Sequence, residues 1–340
     1  MSFKIVFQQH KKAFFRYFIV AGIFVLGLLI GWEINNLSSK HHLISGQVVI
    51  REHQSDFKLI SPLLVLGDTT SLEGFKSLYN QLSSIINDAK NGQKIVDASV
   101  YFRDFNSGQW MGINEKANYA PASIYKIAIM FAILKAAEGD ASLFSKELIL
   151  DAKLQDRSAS AEPDAPRIET GKPYTVSELI SRMIIYSDND ALNMLESIIN
   201  PNDQKKIFDD LQMPMPLAND NRDSMSPELV SRFFRVLYNA AYMPRSISEF
   251  ALELLSATIF KDGLVAGVSP NITVSHKYGY RASSDQIPDN ELHDCGIIYH
   301  PLRPYFLCVM TKGQDVQNLK DIIQQISRTV YLEADGAVNN

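Results

Sequence analysis

From residue 69 onward the hydrophobic periodicity of the chain changes four times, and this order restricts the folds open to it. Leu72, Phe75, Leu78, Tyr79, Leu82, Ile85, Ile86 and Ala89 recur at helical spacing behind the capping-box pattern Thr70-Ser71-Leu72-Glu73. Asn91-Gly92 marks the end of that helix. Alternating runs then predict strands at 95–103 and 109–113, joined by a turn at Asn106-Ser107-Gly108. Residues 123–255 return to helical spacing, with starts marked by Thr175-Val176-Ser177-Glu178 and Ser226-Pro227. Strand signals come back at 272–278, 296–299 and 305–310, and Val316, Leu319, Ile322, Ile323, Ile326 and Val330 share one face of a last helix. The pattern predicts an α+β fold. An antiparallel five-stranded sheet is flanked by terminal helices, with an all-helical insertion (about 123–255) between its two halves.

The N-terminal segment obeys different rules. Residues 17–32 are uncharged and strongly apolar, bounded by Tyr17 and Trp32 as interfacial anchors. Lys4, Lys11, Lys12 and Arg16 precede the segment and Glu33 follows it. The positive-inside rule then predicts a cytoplasmic tail over 1–13, a single membrane span over 14–32 and an extracytoplasmic remainder. A cleaved signal peptide is the competing reading, but no small-x-small cleavage site follows the apolar run, which favours an uncleaved anchor. Residues 33–68 read as a stalk, polar and mixed and then with a short apolar patch around Leu59, Ile60, Leu63, Leu64 and Val65; its His41 and His42 have no third ligand in range, leaving 69–340 as the folded domain.

Composition excludes several function classes. A net charge of -5 leaves no footprint for nucleic acid. Neither Cys-x-x-Cys nor His-Glu-x-x-His is present, so a zinc site has no support, and no glycine-rich phosphate loop calls for a nucleotide cofactor. The two cysteines, Cys295 and Cys308, fall opposite each other if Pro301-Leu302 forms the connection between the last two strands. A disulfide and a pair of buried thiols are both open.

Three short motifs follow one another in order. Ser123 and Lys126 stand one helical turn apart at the start of an apolar run (Ile127, Ala128, Met130, Phe131, Leu134). A serine hydroxyl is a weak nucleophile without a base, and a neutral lysine amine on the same face would take its proton or hold a relay that does. Ser187-Asp188-Asn189 lies between two helices, and Lys277-Tyr278-Gly279 ends a predicted strand. Ser-x-x-Lys, Ser-Asp-Asn and Lys-Thr-Gly in this order mark class A β-lactamases and penicillin-binding proteins. Over roughly 70–335 the chain resembles that superfamily, class A most closely, including the lead-in Gly171-Lys172-Pro173-Tyr174-Thr175 before Ser187.

The resemblance implies roles. Ser123 would attack a strained lactam or peptide carbonyl, with Lys126 as acylation base, its amine kept neutral by the like charge of Lys277. Ser187 would pass a proton to the leaving nitrogen. Asn189 would hold a substrate amide, Lys277 a substrate carboxylate, and the backbone N–H groups of Ser123 and Tyr280 would form the oxyanion hole beside Gly279. Asp188 reads as a turn or cap residue. Arg281 reads either as a carboxylate partner or as a solvated strand residue.

Two positions depart from the family pattern. Tyr278 replaces the small hydroxyl residue of Lys-Thr-Gly, and its hydroxyl is expected to stand farther out. The loop glutamate that activates the deacylating water is missing from Leu211-Gln212-Met213-Pro214-Met215-Pro216-Leu217-Ala218-Asn219-Asp220. Asp220, Asp223, Glu228, Glu162 and Glu169 are the neighbouring acids. The expectation is a membrane-anchored, monomeric serine hydrolase acting on β-lactams or peptidoglycan-type peptides. A D,D-carboxypeptidase-like penicillin-binding protein and a non-catalytic wall-binding or sensing domain of the same fold are the alternatives.

Overall fold

The computed structural model describes residues 50–51, 57–65, 73–153, 155, 165–215, 224–285 and 287–336. The predicted span at 14–32 and the Thr70-Ser71-Leu72 part of the first capping box lie outside these residues. Among the described residues no helix is long and apolar enough to cross a membrane.

Two short strands, β1 (Ile50–Arg51) and β2 (Leu63–Val65), pair antiparallel. A 3-10 turn, Glu73–Phe75, leads into helix α1 (Lys76–Asn91). Gly92 follows α1 with an ordinary φ of -78°, and the left-handed residue is Gln93 at φ 56°. β3 (Asp97–Asp104) and β4 (Trp110–Ile113) form the first hairpin. Asp104 Oδ1 accepts from the N–H groups of Asn106 (2.7 Å) and Ser107 (2.8 Å), and Gly108 adopts φ 72°, so the turn falls where its residues predict.

The helical block begins with a 3-10 turn, Ala122–Tyr125, that continues as α2 (Lys126–Gly139). Every residue from Ile127 to Leu134 is buried, because a helix apolar on all sides is stable only when its neighbours enclose it. Those neighbours include α3 (Val176–Ile185), α4 (Asn189–Glu196) and α5 (Pro201–Asp210), and α6 (Pro227–Tyr238) through the Phe131–Phe233 contact, while α7 (Arg245–Ser256) packs on α3 and α6. A small pair of strands, β5 (Glu147–Ile149) and β6 (Pro173–Thr175), precedes α3. Thr175 and Glu178 form the predicted capping box, and Ser226 caps α6 with Pro227 at its first turn.

The chain then returns to the sheet with β7 (Val274–Arg281), β8 (Asn290–Ile298) and β9 (Tyr305–Gly313), and ends in α8 (Val316–Gly336). The sheet order is β4-β3-β9-β8-β7, with antiparallel pairing throughout. One face carries α1 and α8 through Leu78, Leu82, Leu319, Ile323 and Ile326. The other packs on the helical block through Tyr101, Ile297 and Phe306. The architecture is the expected α+β arrangement, except that the insertion predicted as all-helical also carries the β5–β6 pair. β8 is longer than its composition suggested, since Asn290–Asp294 also pair. The β8–β9 connection covers 299–304 rather than two residues, yet keeps the same register, and Cys295 and Cys308 face each other as a disulfide.

The end of the 33–68 segment is docked on the helical block. Glu249 on α7, almost fully buried, accepts from the N–H groups of Lys58 (2.7 Å), Leu59 (2.9 and 3.0 Å) and Ile60 (2.8 Å), and Ser61 N–H donates to the Tyr238 carbonyl at 2.7 Å. A hydrogen bond to a charged acceptor contributes about 1.5–3 kcal/mol. Glu249→Ala is therefore expected to make the amides of residues 58–60 exchange with deuterium about tenfold faster or more, with helix α2 unaffected. Unchanged protection at 58–60 would show that the apolar contacts of Ile60 and the Ser61–Tyr238 bond hold the segment without Glu249.

Candidate active site

Ser123 sits in the 3-10 turn ahead of α2, so its side chain stands at the N-terminal end of a buried helix. The turn is set by the three residues before it. Pro121 fixes one φ, and Ala122 adopts a left-handed φ of 45°. Ala120 is held at both polar groups: its N–H donates to Glu291 Oε2 (3.0 Å) and its carbonyl accepts from His293 Nε2 (3.1 Å).

Lys126, 1% exposed, is the first residue of α2. Its Nζ donates to Ser123 Oγ (3.1 Å), Ser187 Oγ (3.2 Å), Asn189 Oδ1 (2.6 Å) and the Ser187 carbonyl. Ser187 reaches Lys126 with both its carbonyl and its hydroxyl because its backbone is left-handed, at φ 58°. Asp188 acts as the cap of α4, accepting from Ala191 N–H at 3.1 Å. Lys277, wholly buried on β7, donates to Ser187 Oγ at 2.9 Å and to the Tyr278 carbonyl at 3.3 Å. The structure thus joins Ser123, Lys126, Ser187, Asn189 and Lys277 in one connected set.

The β7 residues beyond Lys277 divide. Gly279 presses against the Ser123 turn: a Cβ there would lie 3.2 Å from Ala122 Cβ, Ile124 Cγ1 and Ile124 N. Tyr280 leaves its side chain 43% exposed, with its hydroxyl 3.1 Å from Asn290 Oδ1. Tyr278 does not extend outward as expected. Its ring is buried and stacks on Phe260 at 4.2 Å, with Lys277 Nζ 4.5 Å from its centre. Arg281 is not a solvated strand residue either, since its Nη2 lies 2.7 Å from Glu291 Oε1.

The acids near the motifs have structural partners. Glu228 pairs with Arg232 one helical turn on (3.1 Å), and Glu169 with Lys172 (3.2 Å). Asp220, Asp223 and Glu162 lie outside the described residues. His276 and His293 are wholly buried. His276 Nδ1 meets Asp294 Oδ1 at 2.8 Å.

Three residues close to the site carry no sequence motif. Tyr125, between Ser123 and Lys126, hydrogen-bonds with Gln204 on α5. Burial, and then the charge of Glu196, push its hydroxyl up to about 12. Glu291 is the second, a carboxylate with no exposure that faces Arg281, His293 and Lys312. Burial opposes its ionisation, but His293 and Lys312 outweigh that and hold it below the usual carboxylate range. His293 is the third.

Comparison with known proteins bears on the fold that carries these residues. Among curated proteins none matches the chain in sequence. The structure of PBP-A aligns with a TM-score of 0.68 at 20% identity, covering 80% of this chain and 100% of that one. TLA-3 extended-spectrum beta-lactamase aligns with a TM-score of 0.69 at 18% identity, covering 77% and 99%. A beta lactamase from Xanthomonas campestris pv. campestris aligns with a TM-score of 0.63 at 19% identity, covering 75% and 97%. These likenesses show the serine β-lactamase and penicillin-binding protein fold. The model of the beta-lactamase enzyme family matches residues 77–334, and the chain belongs to that family.

Proposed function

We propose that this chain is a membrane-anchored serine hydrolase that forms an acyl-enzyme on Ser123 with β-lactams or peptidoglycan-type peptides. The observation that carries the reading is the unbroken run of contacts from Ser123 Oγ through Lys126 Nζ and Ser187 Oγ to Lys277 Nζ. Burying two lysine amines around one hydroxyl is costly, and a domain that only binds wall polymer gains nothing from it.

The chemistry follows from the positions. Lys126, in its neutral form, takes the proton of Ser123 as Oγ bonds to the carbonyl carbon, and the carbonyl oxygen becomes the oxyanion. The N–H groups of Ser123 and Tyr280 receive that charge. The C–N bond then breaks, and the nitrogen collects its proton through Ser187. Lys277 attracts the substrate carboxylate and Asn189 holds its side-chain amide. Water must later cleave the ester. The described residues between α5 and α6, 211–215 and 224–226, contain no carboxylate to activate it. Slow deacylation favours a penicillin-binding, peptidase-like enzyme over an efficient β-lactam hydrolase. The apolar segment at 14–32 would hold the domain on the outer side of the cytoplasmic membrane.

The test is covalent labelling of the full chain by a fluorescent penicillin, beside Ser123→Ala. The expected result is a label on the wild type that outlasts removal of free drug, and none on the mutant. Label on both proteins would remove Ser123 as nucleophile. Label that vanishes as hydrolysed drug accumulates would instead make the protein a working β-lactamase.

A further inference from the structure

We infer that Glu291 is a positioning residue that ties together the two strands of backbone bearing the oxyanion donors. This rests on the acyl-enzyme reading above. The Ser123 donor and the Tyr280 donor come from segments far apart in sequence, and each is held near its donor by the same carboxylate. Glu291 Oε2 accepts from Ala120 N–H at 3.0 Å, three residues before Ser123. Glu291 Oε1 lies 2.7 Å from Arg281 Nη2, one residue beyond Tyr280.

The chain leaves little slack at either end. Between Ala120 and Ser123 stand Pro121, with its φ fixed by the ring, and Ala122 in the left-handed region. His293 holds the next peptide, between Ala120 and Pro121, through the Ala120 carbonyl at 3.1 Å, so the peptides on both sides of the Ala120 Cα are fixed. On β7, Arg281 sits directly across from Glu291 in the β7–β8 register, and Gly279 across from His293. A second cation, Lys312, approaches Glu291 Oε1 at 2.9 Å from β9, on the side away from β7. Charge neutrality alone does not require this layout, because Lys312 by itself would balance Glu291. What the layout adds is a fixed distance between the Ser123 turn and the end of β7.

The experiment uses the full chain and measures the rate constant for acylation by a fluorescent penicillin separately from the initial non-covalent affinity. Glu291→Gln keeps the shape but loses the charge and one of the two oxygens, so it can keep the Ala120 hydrogen bond but not the Arg281 ion pair as well. Misplacement of reacting groups by about 1 Å costs up to about 100-fold. The acylation rate constant is therefore expected to fall about 10- to 100-fold, with the initial affinity unchanged. Lys312→Met removes a charge from the same network but leaves both ties in place, so it lowers the melting temperature while acylation stays within about twofold. If Glu291→Gln does not fold, Arg281→Met cuts only the β7 tie and should show the same loss of rate. An unchanged rate constant in whichever of these two variants folds overturns the inference, as does an equal loss in Lys312→Met. A wild type that takes no Ser123-dependent label removes the acyl-enzyme reading and the tie with it, whereas a labelled wild type with an unaffected Glu291→Gln removes the tie alone.

Discussion

Lys126→Met is expected to slow acylation of Ser123 by about 1,000-fold or more while leaving the protein folded. General-base help supplies roughly 10²–10⁴ in rate, and this nitrogen is the basic group in contact with Ser123 Oγ, at 3.1 Å. The same atom donates to Ser187 Oγ and Asn189 Oδ1, so its loss also disorders the two residues proposed to handle the leaving nitrogen and the substrate amide. Fold stability has opposing contributions. The Ser187 carbonyl and Asn189 Oδ1 each lose a donor, at about 1–3 kcal/mol apiece. Against that, a buried polar amine disappears, and methionine fills nearly the same space. A change of only a few degrees in melting temperature is expected, alongside an almost complete loss of label. Labelling at near wild-type speed would move the base elsewhere, and Lys277, reached through Ser187, would be the next residue to replace.

The legible part of this site was the part encoded locally. Ser123 and Lys126 are close because one turn of helix separates them, and Asp188 caps α4 because its side chain reaches Ala191 N–H within the same few residues. Periodicity likewise placed the helices and the order of strands, because burial of one face is recorded in each segment separately. What escaped depends on partners distant in sequence. Residues 290–294 fall outside the strand predicted at 296–299, because Glu291, His293 and Asp294 break the apolar pattern. They form a central strand because Arg281, Lys312 and His276 lie on its neighbours to receive them. Tyr278 was read as extending outward, whereas Phe260 offers its ring a buried stacking surface. The left-handed backbones of Ala122 and Ser187 carry no glycine to announce them. Residues 58–60 have the mixed composition of a linker, and Glu249, about 190 positions away, is what binds them to the domain.

Gly279→Val is expected to lower the acylation rate constant by about 100-fold, and Gly279→Ala by about tenfold, with the sheet intact. The reason is the closeness of β7 to the Ser123 turn. A single added carbon would meet Ala122 Cβ, Ile124 Cγ1 and Ile124 N at 3.2 Å, so the alanine already forces a shift of a few tenths of an ångström. Valine adds two further methyl groups that have no space on that side. The strand itself accepts valine readily, since β-branched residues suit extended backbone. The β7–β8 pairing from Val274 to Arg281 should therefore hold, and the turn should give way instead. Opening that contact moves the Ser123 N–H away from the Tyr280 N–H, and a pair of donors stabilises an oxyanion only when both reach it. Time-resolved labelling by penicillin, with thermal melting as the check on folding, separates the two effects. A valine variant that melts like the wild type but acylates slowly supports an oxyanion hole built across this contact. A valine variant that acylates normally would mean that the strand and the turn act independently, and the donor from β7 would have to be given up.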